Sequence, residues 1–533
     1  MLLQRDTAPF SPAGSPDATF PRRRHRRFPA HPALLAAALA AAAVALIPAG
    51  FVLVVLVQTG WEIASALIFR PRVAELLRNT FLLEALAVPL AIALAVTLAW
   101  LTERTDLPLA RLWSWLAVVP LAIPAFVHSY AWDGLFPTLR GLAPAVAISV
   151  LAYFPFVYLP VVAQLRRLDP AIEDVAASLG NPPVRVFLRA VLPQLRLAIA
   201  GGALLVALHL LAEYGLYVLI RFETLTTAIV DQFQAVYDGP AANLLGILLV
   251  ACAVGVLALE SLLRGDRRYA RIGPGAARVA PRMALGRAWP LWMLLPAAVA
   301  SLSVALPATT LLRWLWRGGA DAWAWGGGLG AALGQTAFYA AVGAALTCLA
   351  ALPVAWLSAR APGRLQRLIE ACHIYVGSLP GVVVALALVA ITVRVALPLY
   401  QTVVTLLAAY VLLYLARAII ALRASLAQVP VELEHAAIAL GRPPLVAAVG
   451  TTLRLAAPGI AAGMALVAMG ITTELTATLM LSPIGTRTLA TEFWALTGEF
   501  DHVGAAPYAL AMILLSLPLC VILYRQAVGA IGR

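Results

Sequence analysis

Ile172-Glu173-Asp174-Val175-Ala176-Ala177-Ser178-Leu179-Gly180-Asn181-Pro182-Pro183 returns 261 residues later as Leu433-Glu434-His435-Ala436-Ala437-Ile438-Ala439-Leu440-Gly441-Arg442-Pro443-Pro444. No gap is needed: Glu173 falls on Glu434, Leu179 on Leu440 and Gly180 on Gly441. Each copy predicts a short helix with a stop. Proline stands at each start (Pro170, Pro430), where a missing N–H costs nothing. Glycine follows the last turn, and proline then forbids continuation. Both copies are polar islands between long apolar runs. A capped helix made twice suggests a docking knob for two sockets on a partner. A loop helix lying on the membrane surface is the plainer alternative, and these residues leave both open.

The surrounding chain is 62% hydrophobic and 12% charged over 533 residues, against roughly 25% charged in a soluble globule. Apolar runs of 20 or more residues recur, each long enough to cross a bilayer core of about 30 Å as a helix. The class is all-α and polytopic. Twelve spans are expected near 33–57, 79–101, 112–132, 142–165, 195–220, 241–263, 289–312, 334–358, 369–393, 399–422, 455–481 and 506–525. Residues 1–30 read as a disordered tail, 31–263 and 289–533 as two repeats, and 264–288 as a polar linker. The run Arg22–Arg27 followed by a long apolar stretch reads as an uncleaved first span.

All 38 basic residues are arginine. With the N-terminus in the cytoplasm, only nine fall in outer loops and 29 face the cytoplasm, which is the positive-inside bias. That bias explains the net charge of +13 without nucleic acid. Both capped helices then face the cytoplasm. The repeat extends further: at an offset of 256, Asn79-Thr80 matches Gln335-Thr336 and Ile123-Pro124 matches Leu379-Pro380. At 261, Glu213 matches Glu474 and Thr227 matches Thr488. Six spans per repeat is even, so the repeats run parallel, related by an axis along the membrane normal with a pathway between them.

Chemistry is sparse. Without lysine no Walker A loop exists, so ATP hydrolysis belongs to another subunit, and no catalytic residue, cofactor or metal site is indicated. The four cysteines lack metal-type spacing and read as packing residues. His128, His209 and His373 read as helix packing, as do the tyrosines Tyr153, Tyr158, Tyr214 and Tyr217. Glu213 and Glu474 stand out, each well inside an apolar span. Such carboxylates line a wet pathway or, protonated, staple neighbouring helices. Both readings stay open.

At these residues the chain resembles a binding-protein-dependent ABC importer permease of type I architecture, in the fused two-repeat form associated with ferric iron. Residues 169–193 and 430–454 are similar to the family's EAA loop, with the signature acid at Asp174 and His435 and Val175 at the first alanine. The later Leu-Pro is kept as Leu192-Pro193 but becomes Leu453-Arg454. Glu474-Leu475-Thr476-Ala477-Thr478-Leu479 resembles the iron branch's Glu-Leu-Pro-Ala-Thr-Leu, with Thr476 in place of proline and Thr473 in place of lysine. The resemblance implies ATPase docking through Glu173, Asp174, Ala176, Ala177, Gly180, Glu434, His435, Ala436, Ala437 and Gly441. It implies a substrate pathway at Glu213 and Glu474. It also implies two ATPase copies, a periplasmic or lipid-anchored binding protein, and a place among the lipids of the bacterial inner membrane. Thiamine, polyamine and phosphonate permeases share this architecture, and a proton-coupled transporter of twelve spans is the rival from another class.

Overall fold

The computed structural model describes residues 32–166, 168, 171–236, 238–264, 282–320, 328–361 and 363–529. The expected tail, most of the linker, and Asp169 and Pro170 of the first loop lie outside them. Among the described residues the chain is helical throughout, with one isolated bridge between Thr105 and Met283. In lipid a helix satisfies its own backbone polar groups, so an apolar chain of this kind has few alternatives.

Ten helices are long and apolar enough to cross a membrane, and eleven if one bent pair is a single span. The twelve expected spans are met by these ten continuous helices and two broken ones. The span near 112–132 is Ala110–Ala122 followed by Ala125–Leu135, bent by 97°. Pro124 holds Ile123 in extended backbone (φ −99°, ψ 114°), and the helix restarts beyond it. The span near 369–393 is Arg364–Val376 followed, after Pro380, by the shorter apolar helix Gly381–Val395. Pro89 and Pro160, by contrast, sit inside continuous helices.

Each half lends its first helix to the other. Pro32–Thr59 packs on Leu329–Arg360, Arg364–Val376 and Gly381–Val395, with Phe51 and Val55 against Ala387. In return Leu306–Gly318 packs on Ala125–Leu135, and Trp289–Ala300 on Ala110–Leu116. Between the halves the Gly215 backbone is packed closely by a side chain of the other half: a Cβ on Gly215 would stand 3.0 Å from Leu475 Cδ2. Phe126 and Tyr130 meet Phe493 there at 5.4 and 5.2 Å between ring centres.

Several contacts recur in both halves. Thr80 Oγ1 accepts the Leu225 N–H, and Thr336 Oγ1 accepts that of Leu489. Thr224 and Thr227 form a capping box, and so do Thr488 and Thr491. The structural counterpart of Thr488 is therefore Thr224, not Thr227, and the gapless offset does not extend this far.

Candidate functional site

Glu213 and Glu474 are placed differently from expectation. They lie at helix breaks, not within helices. Leu192–Ala212 ends at Glu213, whose ψ of 129° turns the chain before Gly215–Leu219 begins. Glu213 Oε1 accepts the Leu216 N–H at 3.0 Å, satisfying a donor that the short helix leaves open. Tyr153 donates its hydroxyl to Glu213 Oε2. In the second half, Arg454–Thr472 ends just before Glu474, and Glu474 Oε1 accepts the Ala477 N–H at 3.0 Å. Tyr414 reaches Glu474 Oε2 at 3.1 Å and the Gly470 carbonyl at 2.8 Å. Gly470 is required by that approach, since a Cβ would stand 2.4 Å from the Tyr414 ring. A second pair flanks each carboxylate: Ser149 with Tyr217 at 3.2 Å, and Tyr410 with Thr478 at 2.8 Å. The tyrosine has changed sides between the halves.

Both glutamates line one cavity of about 170 Å³, shared with Tyr153, Tyr414, His209, Arg417 and Thr473. It draws on both halves, as the pathway reading expects, while the hydrogen bonds give each carboxylate the stapling role as well. Arg417 is the residue that sequence reasoning missed. It was counted with the cytoplasmic arginines, yet it lines the cavity within Val403–Ala427. Among the described residues no carboxylate lies within ion-pair distance of it. Its Nη2 meets His209 Nε2 at 3.1 Å, and its guanidinium lies 5.1 Å from the Tyr414 ring centre. Of the three histidines read as packing, His128 and His373 are buried away from the cavity, whereas His209 belongs to it. Among the described residues no three His, Cys, Asp or Glu side chains gather as a metal site.

The two capped helices are Ala171–Ser178 and Val431–Ala439. Gly180 and Gly441 follow them with φ of 78° and 86°, in the left-handed region where glycine is favoured. The second end is a full Schellman motif: Gly441 N–H to Ile438 O and Arg442 N–H to Ala437 O. In the first, Gly180 N–H bonds Ala177 O while the Asn181 side chain takes the Ala176 carbonyl. Glu173 and Glu434 anchor these helices to the spans. Arg104, at the end of Pro71–Arg104, donates to Glu173 Oε1 at 2.8 Å and to the Leu165 carbonyl at 3.0 Å. Burial raises the Glu173 carboxyl above the ordinary carboxylate range, and Arg104 opposes the rise. In the second half Arg360 bonds the Val429 carbonyl and Thr452, and Thr452 donates to Glu434.

Asp174, Ala177, His435 and Ala436 are exposed, whereas Ala176 is half-buried and Ala437 buried. Apolar side chains are exposed at matched places: Leu179 and Leu440 (77% and 84%), Val184 and Leu445, Leu188 and Val449.

Residues 351–528 match the family described as binding-protein-dependent transport system inner membrane component. The Fe(3+)-transport system permease protein FbpB 2 of Haemophilus influenzae is 34% identical over 474 residues, which is 88% of this chain and 93% of that protein. The sulfate transport system permease protein CysT of Escherichia coli is 26% identical over 250 residues, covering 42% of this chain and 88% of its own length. The molybdate/tungstate transport system permease protein WtpB of Thermococcus kodakarensis is 26% identical over 204 residues, covering 37% and 81%.

Proposed function

The chain belongs to the family of binding-protein-dependent transport system inner membrane components, and from that premise we propose that it carries ferric iron across the membrane. The observation that carries the choice of cargo is the match to the Fe(3+) permease, which runs through both halves, whereas the sulfate and molybdate/tungstate permeases align with less than half of the chain. The cavity chemistry is compatible: carboxylate and phenol oxygens are hard donors suited to a small, highly charged cation. Because backbone N–H groups and tyrosines already engage Glu213 and Glu474, a cation finds there a weak stop that it can leave.

In this reading two copies of an ATPase dock on the loop helices, whose matched exposed leucines offer the apolar contact. Residues 31–263 and 289–533 act as two units that rock against each other, and ATP binding drives the change by stabilising one arrangement. A periplasmic or lipid-anchored protein delivers the cargo on the other face. The N-terminus lies on the loop-helix side, where the arginines collect. Family membership favours ATP coupling over the proton-coupled alternative. A second reading, an oxyanion as cargo, has one observation in its favour: the guanidinium of Arg417 lines the cavity with no carboxylate at ion-pair distance among the described residues. Uptake of radiolabelled ferric iron, sulfate and molybdate by cells with and without this chain separates the two. Iron uptake that requires both the chain and the ATPase is expected; uptake of sulfate or molybdate alone would overturn the iron reading.

A further inference from the structure

We infer that the hydrogen bond between Arg417 and His209 is a latch between the two halves that closes the cavity on its loop-helix side; the inference rests on the two-unit reading above. Its chemistry is fixed by geometry. His209 Nδ1 lies 2.7 Å from the Leu205 carbonyl, an acceptor only, so Nδ1 carries the proton. Nε2 is then a bare lone pair on a neutral ring, and the Arg417 guanidinium donates to it at 3.1 Å. Its position follows from helix direction. Leu192–Ala212 runs away from the first loop helix, and His209 comes one turn before Glu213. Val403–Ala427 runs toward the second loop helix, and Arg417 comes just under one turn after Tyr414. The bond thus lies about 5 Å from the tyrosine–glutamate layer, toward the loop helices in both halves.

The contact is also made once, not twice. At the 261-residue offset, Phe156 stands where Arg417 does and Gly470 where His209 does. Phe156 packs on the His209 ring at 4.4 Å, so both partners are braced by an aromatic neighbour. A hydrogen bond from a charged donor to a neutral acceptor is strong enough to hold a closed state and weak enough to break in each cycle.

The test places T473C as a probe in the cavity, in a chain whose Cys252, Cys348, Cys372 and Cys520 are replaced by alanine. An impermeant thiol reagent is applied to vesicles of either orientation, and the side that labels A439C defines the loop-helix side. With the latch intact, T473C should label slowly from that side. Arg417→Ala or His209→Ala should speed labelling from that side by about tenfold, the population change expected from losing such a bond, and leave the other side unchanged. His209→Gln, which keeps an acceptor, should stay slow. Unchanged rates in the alanine variants, or equal acceleration from both sides, would overturn the latch. His209→Ala carries the test if Arg417→Ala does not accumulate. No ATP or cargo enters this measurement, so its failure is distinct from failure of iron uptake.

Discussion

Glu213 and Glu474 each close the end of one helix and the start of the next while facing the cavity. Glutamine keeps an oxygen for the backbone N–H and removes the charge. The double variant E213Q/E474Q is therefore expected to accumulate normally and to support ATP hydrolysis by its partner, yet to transport poorly. Alanine instead strips the acceptor, and an unsatisfied buried N–H costs about 1–3 kcal/mol, so the double alanine variant should also lose stability in detergent. If transport by E213Q/E474Q is untouched, or falls only as far as its accumulation does, the acids are staples alone. Gly470→Ala sets a Cβ into the Tyr414 ring and should cost about 1–3 kcal/mol, read as a lower Tm of the purified chain. The two acids were legible because carboxylates inside apolar runs are rare and these recur in register. Their place at helix breaks was not, because apolar residues continue on both sides and nothing local marks the end. Arg417 was hidden for another reason: an arginine near the end of an apolar run reads first as a topology signal.

The loop helices were legible down to their caps, because glycine and proline act through backbone geometry that needs no tertiary partner. Gly180 and Gly441 have positive φ with open space around them, so only the backbone resists a side chain. Valine at either should cost about 1–2 kcal/mol locally and turn the following segment aside. Gly180→Val and Gly441→Val are expected to leave the chain inserted but to weaken co-purification of the ATPase; undiminished co-purification with both would defeat the docking role. The broken spans show what such signals leave out. Pro89, Pro124, Pro160 and Pro380 are all plain in the sequence, but only Pro124 and Pro380 stand at breaks. A proline becomes a kink or a break according to which neighbours take up the freed backbone groups, and that is decided by packing.

At the scale of the whole molecule, orientation and division into halves both invite measurement. Cysteines introduced singly as Gly275→Cys and Ala439→Cys, without the four native ones, should resist an impermeant thiol reagent outside intact cells; labelling from outside would reverse the proposed topology. The division is more demanding, because each half's first helix is packed on the other half. That exchange was not legible: apolar spans carry no mark of which neighbour they meet. It implies that the covalent joint between the halves acts chiefly as a tether that raises effective concentration. Two chains produced by a cut within residues 265–281 should then assemble when expressed together and recover a large part of the uptake of the intact chain. Either half alone would leave its lent helix without the partners it has in the other half, and its own bundle without the helix it borrows, so neither should accumulate. Full accumulation of one half by itself, as a dimer that binds the ATPase, would mean that the exchanged helices are not what joins the halves.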